Sequence, residues 1–416
     1  MEGLIYVFAG WEKNEPLIGT LEVTHTRGRE NTAFIYDESW IENHPSLILD
    51  PELQAFSGRQ YPDMNKKLFG FLSDSAPDRW GRKLMERREI IQAKKENRNI
   101  RKLYEADYLI GVHDGGRVGG LRFKLDPEGV FLSDEQSLAA PPMTELRKLE
   151  QASLKYETGK DPYDEKWFRE LIQPGSSLGG ARPKANVTDP SGNIWIAKFP
   201  SKHDARNIGA WEMTAHDLAL LCGIQVPEAK IMHLSEAGDT FLVQRFDREA
   251  GNDKLHRIHF ASAMTMLGET DGTQNPVSYL DIADVLERIG ANPQEDLREL
   301  WRRIAFNVAI SNADDHLRNH GFLLFEDGWR LSPAYDLNPV YDAEYLSLNL
   351  NLDDNSRDMA LVLSVADYFR YTKVEAELQL QKIRTTVKEN WRRIAAKYHI
   401  SNSEQDMMRQ AFSECE

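Results

Sequence analysis

Apolar positions along this chain switch from short runs in its first half to a 3.6-residue period in its last third. The runs Leu4 to Ala9 and Thr32 to Tyr36 read as short strands with Gly and Asn turns between them. A helix starts near Ser75-Ala76-Pro77-Asp78, because Asp78 can cap its unpaired N–H groups and Trp80, Leu84, Ile90 and Ile91 follow at roughly helical spacing. Gly115 to Phe123 reads as a tight turn entering a strand. Residues 126 to 165 are polar and include Ala139-Ala140-Pro141-Pro142, followed by Leu146, Leu149 and Leu154. That pattern predicts a linker and a lead-in helix.

Beyond residue 180, strands are predicted at Lys184 to Val187, Asn193 to Phe199 and Thr240 to Phe246. One amphipathic helix, Ile208 to Leu221, lies among them with Trp211, Ala215, Leu218 and Leu221 on one face. From Ala261 onward the pattern is helical, in Tyr279 to Leu286, Leu297 to Val308 and Val374 to Tyr398. The fold class expected is α+β, a protein-kinase-like two-lobed fold with a small β-rich N-lobe and a larger helical C-lobe. An extra β-rich module precedes it. The corresponding divisions are 1–125, 126–250 and 251–416, the middle one holding the linker and N-lobe.

Composition adds limits. At 416 residues two or three domains are expected, and 41% hydrophobic content with 9 Trp and 17 Phe supports packed cores rather than disorder. No run approaches the roughly 18 apolar residues of a membrane span, and the N-terminus lacks a basic signal-peptide start. Only Cys222 and Cys415 occur, without metal-ligand spacing, which points to a reducing, cytoplasmic compartment. A net charge of −15 argues against a protein that coats nucleic acid with its whole surface. The basic stretch Arg79 to Lys102 is the local exception. It is read as a solvated helix face with interleaved Glu in preference to a patch for DNA or an acidic partner.

The candidate chemistry lies in four segments. Ser176-Ser177-Leu178-Gly179-Gly180-Ala181-Arg182-Pro183-Lys184 is a Gly-rich turn whose backbone N–H groups can face phosphate oxygens, although it lacks the Walker A pattern. Lys198 ends an apolar strand, as either an edge residue reaching water or a deliberately placed cation. Glu212, on the next helix, is its candidate partner. In Asn312-Ala313-Asp314-Asp315-His316-Leu317-Arg318-Asn319 an Asp precedes an Asn by five positions, and Tyr335-Asp336 adds a later Asp. Kinase catalytic loops use that order, with the first Asp accepting a hydroxyl proton and the Asn and later Asp holding Mg²⁺ over ATP phosphates. Asp315 is read as a solvated bystander.

The chain resembles the HipA-type serine/threonine kinase toxins of bacterial toxin–antitoxin modules. The resemblance rests on Phe69 to Arg82, Gly180 to Lys184, Leu242 to Arg248, Asn312 to Asn319 and Pro333 to Leu337, in family order across most of the chain. It implies ATP and Mg²⁺ as cofactors, Asp314 as catalytic base, and Asn319 and Asp336 as metal ligands. It further implies that Lys198 and Gly179, Gly180, Ala181, Arg182 and Lys184 contact the phosphates. Gln244 to Phe246 resemble an adenine hinge, and His316 and Tyr335 fall at nucleotide-contacting positions. Ser177, or its neighbour Ser176, matches a loop serine that such kinases autophosphorylate. The implied partners are a small DNA-binding, HipB-like antitoxin, through which alone DNA is met, and a protein substrate such as an aminoacyl-tRNA synthetase or another translation factor. No membrane is involved. A small-molecule phosphotransferase of the same broad fold shares the catalytic residues, and a degenerate kinase serving as a binding module is a third reading.

Overall fold

The computed structural model describes residues 2–135, 138–158, 182–250, 255–273 and 275–415. The chain divides into two compact units, residues 1–202 with 247–270 and residues 203–246 with 271–416.

The first unit opens with an antiparallel sheet built from β1 (Gly3–Ala9), β2 (Leu17–Thr26), β3 (Arg29–Tyr36) and β4 (Leu121–Lys124), in the order β3-β2-β1-β4. Alternation places Ile5, Val7 and Ala9 of β1 in the core, with Leu21 and Val23 of β2 and Phe34 of β3. Strand β2 was not expected. The stretch read as turns is instead the longest strand of the sheet, and its tight turn lies at Arg27-Gly28. Both central residues there have positive φ, 51° and 75°, the backbone that a two-residue hairpin requires.

Helix α1 (Arg79–Lys95) begins as expected, with the Asp78 carboxylate accepting the Gly81 N–H at 2.8 Å. Its apolar face carries Trp80, Leu84 and Ile91 against Ala152 and Tyr156 of α2 (Leu146–Glu157). The basic stretch has the character of a charge-paired surface. Arg82 forms a two-pronged pair with Glu105 at 2.8 and 2.6 Å, and Arg98 bridges Glu89 and Glu96. The unit also contains the hairpin of β5 (Lys184–Thr188) and β6 (Ile194–Lys198), in which Lys184 is directly opposite Lys198.

The second unit holds α3 (Ile208–Leu221), whose ends coincide with the expected ones. Asn207 caps it, and Gly209 is required because a Cβ there would meet the Asp239 carbonyl oxygen at 2.1 Å. The strands β7 (Ala229–Ser235) and β8 (Gly238–Gln244) form a hairpin, of which only β8 was expected. Then follow α4 (Tyr279–Ile289), α5 (Pro293–Ile310), the hairpin of β9 (Gly321–Phe325) and β10 (Gly328–Leu331), and α6 (Lys373–Lys397). Helix α5 is the core element: Leu297, Leu300, Trp301, Ile304, Phe306 and Ile310 are fully buried. Cys222 and Cys415 are buried free thiols. Among the described residues no helix is long and apolar enough to cross a membrane.

Asp50 is a buried carboxyl in the first unit, 1% exposed, accepting the N–H groups of Glu52 and Phe71. Burial pushes its pKa up to about 6, against those two hydrogen bonds. Between about pH 4 and 6 the folded chain therefore holds more protons here than the unfolded chain, so this group's contribution falls as pH rises. Urea unfolding of the wild type and Asp50→Asn across this range should show the difference in unfolding free energy declining by about 3 kcal/mol toward pH 7. A pH-independent difference would contradict the assignment.

Candidate functional site

The site residues of the second unit grow out of the end of α5. The helix stops at Ser311, which takes a left-handed backbone (φ 54°) and returns its N–H to the carbonyl oxygens of Asn307 and Val308. A serine can hold that conformation because its hydroxyl is anchored: Ser311 Oγ donates to the Ala411 carbonyl at 2.6 Å and accepts from the Arg357 guanidinium. Asn312 is tied back to Asn307 through its own N–H (2.8 Å) and side-chain amide (3.1 Å). The chain thus leaves the helix in one direction, and the turn Ala313 to His320 starts from a rigid base.

Within that turn, Asn319 Nδ2 donates to the Asp314 carbonyl at 2.9 Å, and its backbone N–H donates to the His316 carbonyl at 2.8 Å. The first bond closes the turn and commits the amide nitrogen, which leaves Oδ1 as the atom Asn319 can offer a cation. Asp314 itself is exposed. Partial desolvation holds its carboxyl above the ordinary carboxylate value, and the negative charges of Asp336 and Asp315 act in the same direction while His316 opposes them. Asp336 has a left-handed backbone (φ 60°), rare for a non-glycine residue, and accepts from Asn338 Nδ2 at 3.2 Å. Tyr335 donates its hydroxyl to the Arg318 carbonyl at 2.6 Å, and its ring packs on Phe246 with centroids 5.5 Å apart. Asp314, His316, Asn319, Tyr335, Asp336 and Phe246 therefore all belong to one unit, with Gln244 at the end of β8.

Asp315 departs from expectation. It is 2% exposed, not solvated, and its Oδ2 accepts from Tyr279 Oη at 2.5 Å, Asn307 Nδ2 at 2.7 Å and His320 Nε2 at 2.8 Å. Burial first, and then Asp315 itself, raise the Tyr279 phenol well above its ordinary pKa, so the hydroxyl remains a donor. One acid of the Asp314-Asp315 pair faces outward while the other anchors the turn to α4, α5 and β9. The polar residues Asn307 and His320 beside apolar runs were the available signal. Tyr279, 36 residues away, left none.

In the first unit, Lys198 is half-buried at the end of β6 and Lys184 is buried opposite it, with Nζ 3.2 Å from Asp78. The resemblance places Lys184 in a phosphate-covering loop; in the structure its side chain pairs with the capping carboxylate of α1, the counter-charge that a buried ammonium needs. Arg182 is half-buried just ahead of β5. Glu212 is buried on α3 of the second unit. Ser176, Ser177, Gly179, Gly180 and Ala181 lie outside the described residues.

Comparison with known proteins identifies two family domains in the chain. Residues 13–103 match the model of the HipA N-terminal domain, and residues 176–402 match that of the HipA-like C-terminal domain. Y4mE of Sinorhizobium fredii is 32% identical over 148 residues, which cover 34% of this chain and 33% of that protein. The serine/threonine-protein kinase toxin HipA of Shewanella oneidensis is 25% identical over 282 residues, 60% of this chain and 63% of the relative. The chain thus spans between about a third and three fifths of the length of these relatives. In fold, the chain matches HipA in the Shewanella oneidensis complex of HipA, HipB and operator DNA with a TM-score of 0.68 at 18% identity. That match covers 99% of this chain and 96% of the other, and its fold is the α+β, kinase-like one expected.

Removing the Asp315 carboxylate would strand three buried donors, each costly when unpaired. Asp315→Ala is expected to lower unfolding stability by about 3 kcal/mol. The exposed neighbour change Asp314→Ala should cost no more than about 0.5 kcal/mol. Urea unfolding of both variants checks this, and equal losses would refute the division of roles.

Proposed function

Since the chain belongs to the HipA family, with both its N-terminal and C-terminal domains, we propose that it is an ATP- and Mg²⁺-dependent serine/threonine protein kinase, the toxin of a toxin–antitoxin pair. The observation that supports this most is the turn from Asp314 to Asn319 beside Asp336. Its exposed carboxylate has a raised proton affinity, and two residues close by can offer hard oxygen atoms to a cation.

On this reading Asp314 Oδ accepts the proton of a substrate hydroxyl as that oxygen forms its bond to the γ-phosphorus of ATP and the bond to the β-phosphate oxygen breaks, leaving ADP. A base held above the ordinary carboxylate value is better matched to this transfer. The Asn319 oxygen and the Asp336 carboxylate suit Mg²⁺, which takes oxygen ligands and few of them from protein. When bound, the ion neutralises charge developing on the phosphates. Lys198 takes the α- and β-phosphates with Glu212 as its partner, Gln244 to Phe246 meet adenine, and His316 and Tyr335 border the nucleotide. The Gly-rich sequence Gly179 to Arg182 covers the phosphates. Lys184, being held by Asp78, contributes charge there at most indirectly.

The partner proposed is a small DNA-binding antitoxin of the HipB kind, named in the structurally similar complex. The substrate proposed is a protein of translation, an aminoacyl-tRNA synthetase among them, in the cytoplasm. Autophosphorylation of Ser177, or of Ser176, is proposed to silence the enzyme, because a phosphate adds about −1.5 to −2 charges where ATP phosphates must bind.

Incubation with γ-labelled ATP and no added substrate should label the wild-type chain on Ser177 or Ser176. Asp314→Asn should abolish transfer while ATP still binds; substantial residual transfer would mean that another group is the base. Unlabelled protein that nonetheless phosphorylates a small hydroxyl compound would favour a small-molecule phosphotransferase. Calorimetric titration should find ATP affinity lowered in Ser177→Asp and unchanged in Ser177→Ala. Equal affinities would remove the electrostatic account of silencing.

A further inference from the structure

The motif Ser75-Ala76-Pro77-Asp78-Arg79-Trp80-Gly81 has no part in the chemistry above, yet its side chains make specific contacts with the hairpin that carries Lys198. Asp78 divides its carboxylate: Oδ1 caps α1 through the Gly81 N–H at 2.8 Å, and Oδ2 receives Lys184 Nζ at 3.2 Å. Trp80, buried in the same helix turn, donates its indole N–H to the Lys184 carbonyl at 3.1 Å. Lys184 is therefore held by both side chain and backbone. It is also the residue directly opposite Lys198 in the β5–β6 ladder. Opposed residues of an antiparallel pair share a face, with Cβ atoms about 5 Å apart, and two like charges in that position repel. The Asp78 carboxylate supplies the counter-charge that lets the lysines sit side by side.

The chain just past β6, at the same open end of the hairpin, is held from the same helix pair. Glu157 at the end of α2 accepts Ser201 Oγ at 2.7 Å and the Lys202 N–H at 2.9 Å, just past β6. Helix α2 packs on α1 through Tyr156 against Trp80, with ring centroids 5.3 Å apart in an edge-on arrangement. The open end of the hairpin is thus held to α1 and α2 from both of its strands.

We infer that Asp78 and Trp80 of the N-terminal domain are positioning residues for nucleotide binding, acting through Lys184 to hold strand β6 and its Lys198 in register. This rests on the reading of Lys198 as the phosphate-binding lysine. It gives the N-terminal domain a defined role in the reaction, as the clamp on the strand that meets ATP.

The test is calorimetric titration of the full-length protein with ATP and Mg²⁺, alongside kcat for self-labelling at saturating ATP. Asp78→Asn and Lys184→Met are each expected to weaken ATP binding about tenfold with kcat little changed, and the double variant should be no weaker than either, because the two act as one unit. Trp80→Phe, which keeps the ring and loses the N–H, should weaken binding by a smaller factor. A general loss of folding would lower kcat per chain and the unfolding midpoint together without this split. Amide hydrogen exchange at Trp195 to Lys198, measured without nucleotide, should quicken in Asp78→Asn. If Lys184→Met weakens binding while Asp78→Asn leaves both ATP affinity and exchange unchanged, Lys184 acts on the nucleotide directly and the clamp is refuted. Faster exchange in Asp78→Asn together with a wild type that binds no ATP would retain the clamp and overturn the kinase reading instead.

Discussion

One carboxylate oxygen, Asp315 Oδ2, holds the turn on which the proposed chemistry depends. Three donors from three elements converge on it: Tyr279 at the start of α4, Asn307 in the last turn of α5 and His320 at the entry to β9. A buried charge is tolerable only when it is fully hydrogen-bonded, so these donors and the carboxylate constrain one another. Between Asp315 and His320 lies Asn319, which closes the turn on the Asp314 carbonyl. The direction in which Asp314 faces is thus a consequence of what Asp315 binds.

The same logic recurs in the first unit. Lys184 is a buried cation, and the Asp78 carboxylate that neutralises it also caps a helix. In both cases a buried polar group has a second task, which couples a local feature to a distant element. Both cases use a charged pair or hub where an apolar contact would be equally stable. A buried polar arrangement admits only one geometry, whereas apolar packing tolerates small shifts. For a strand and a turn proposed to present Lys198 and Asp314 to a nucleotide, that difference matters more than the stability each contact adds.

Much of the scaffold was legible along the chain. Helix α3 was recovered to its ends, because Asn207 caps it and its apolar spacing is unbroken. The start of α1 was marked by Asp78, and the end of α5 by the change from Ile310 to a run of polar residues. Strands β2 and β7 were missed. In β2 a glycine and several threonines interrupt the apolar signal, and β7 buries only Leu234, so neither produces a run. Their pairing with β1 and β8 makes them strands.

Spacing in the sequence determined which residues share a turn: Asp314 and Asn319 are five apart, and Asp336 follows a short hairpin whatever else the chain does. Local hydrogen bonding and periodicity suffice for that. The tertiary structure alone decided what each acid and lysine is for. Asp315 became an anchor through Tyr279, 36 positions away, and Lys184 became a clamp point through Asp78, 106 positions away. Burial sets whether a charge meets water or a partner, and burial is a property of the folded chain that no local window of residues contains.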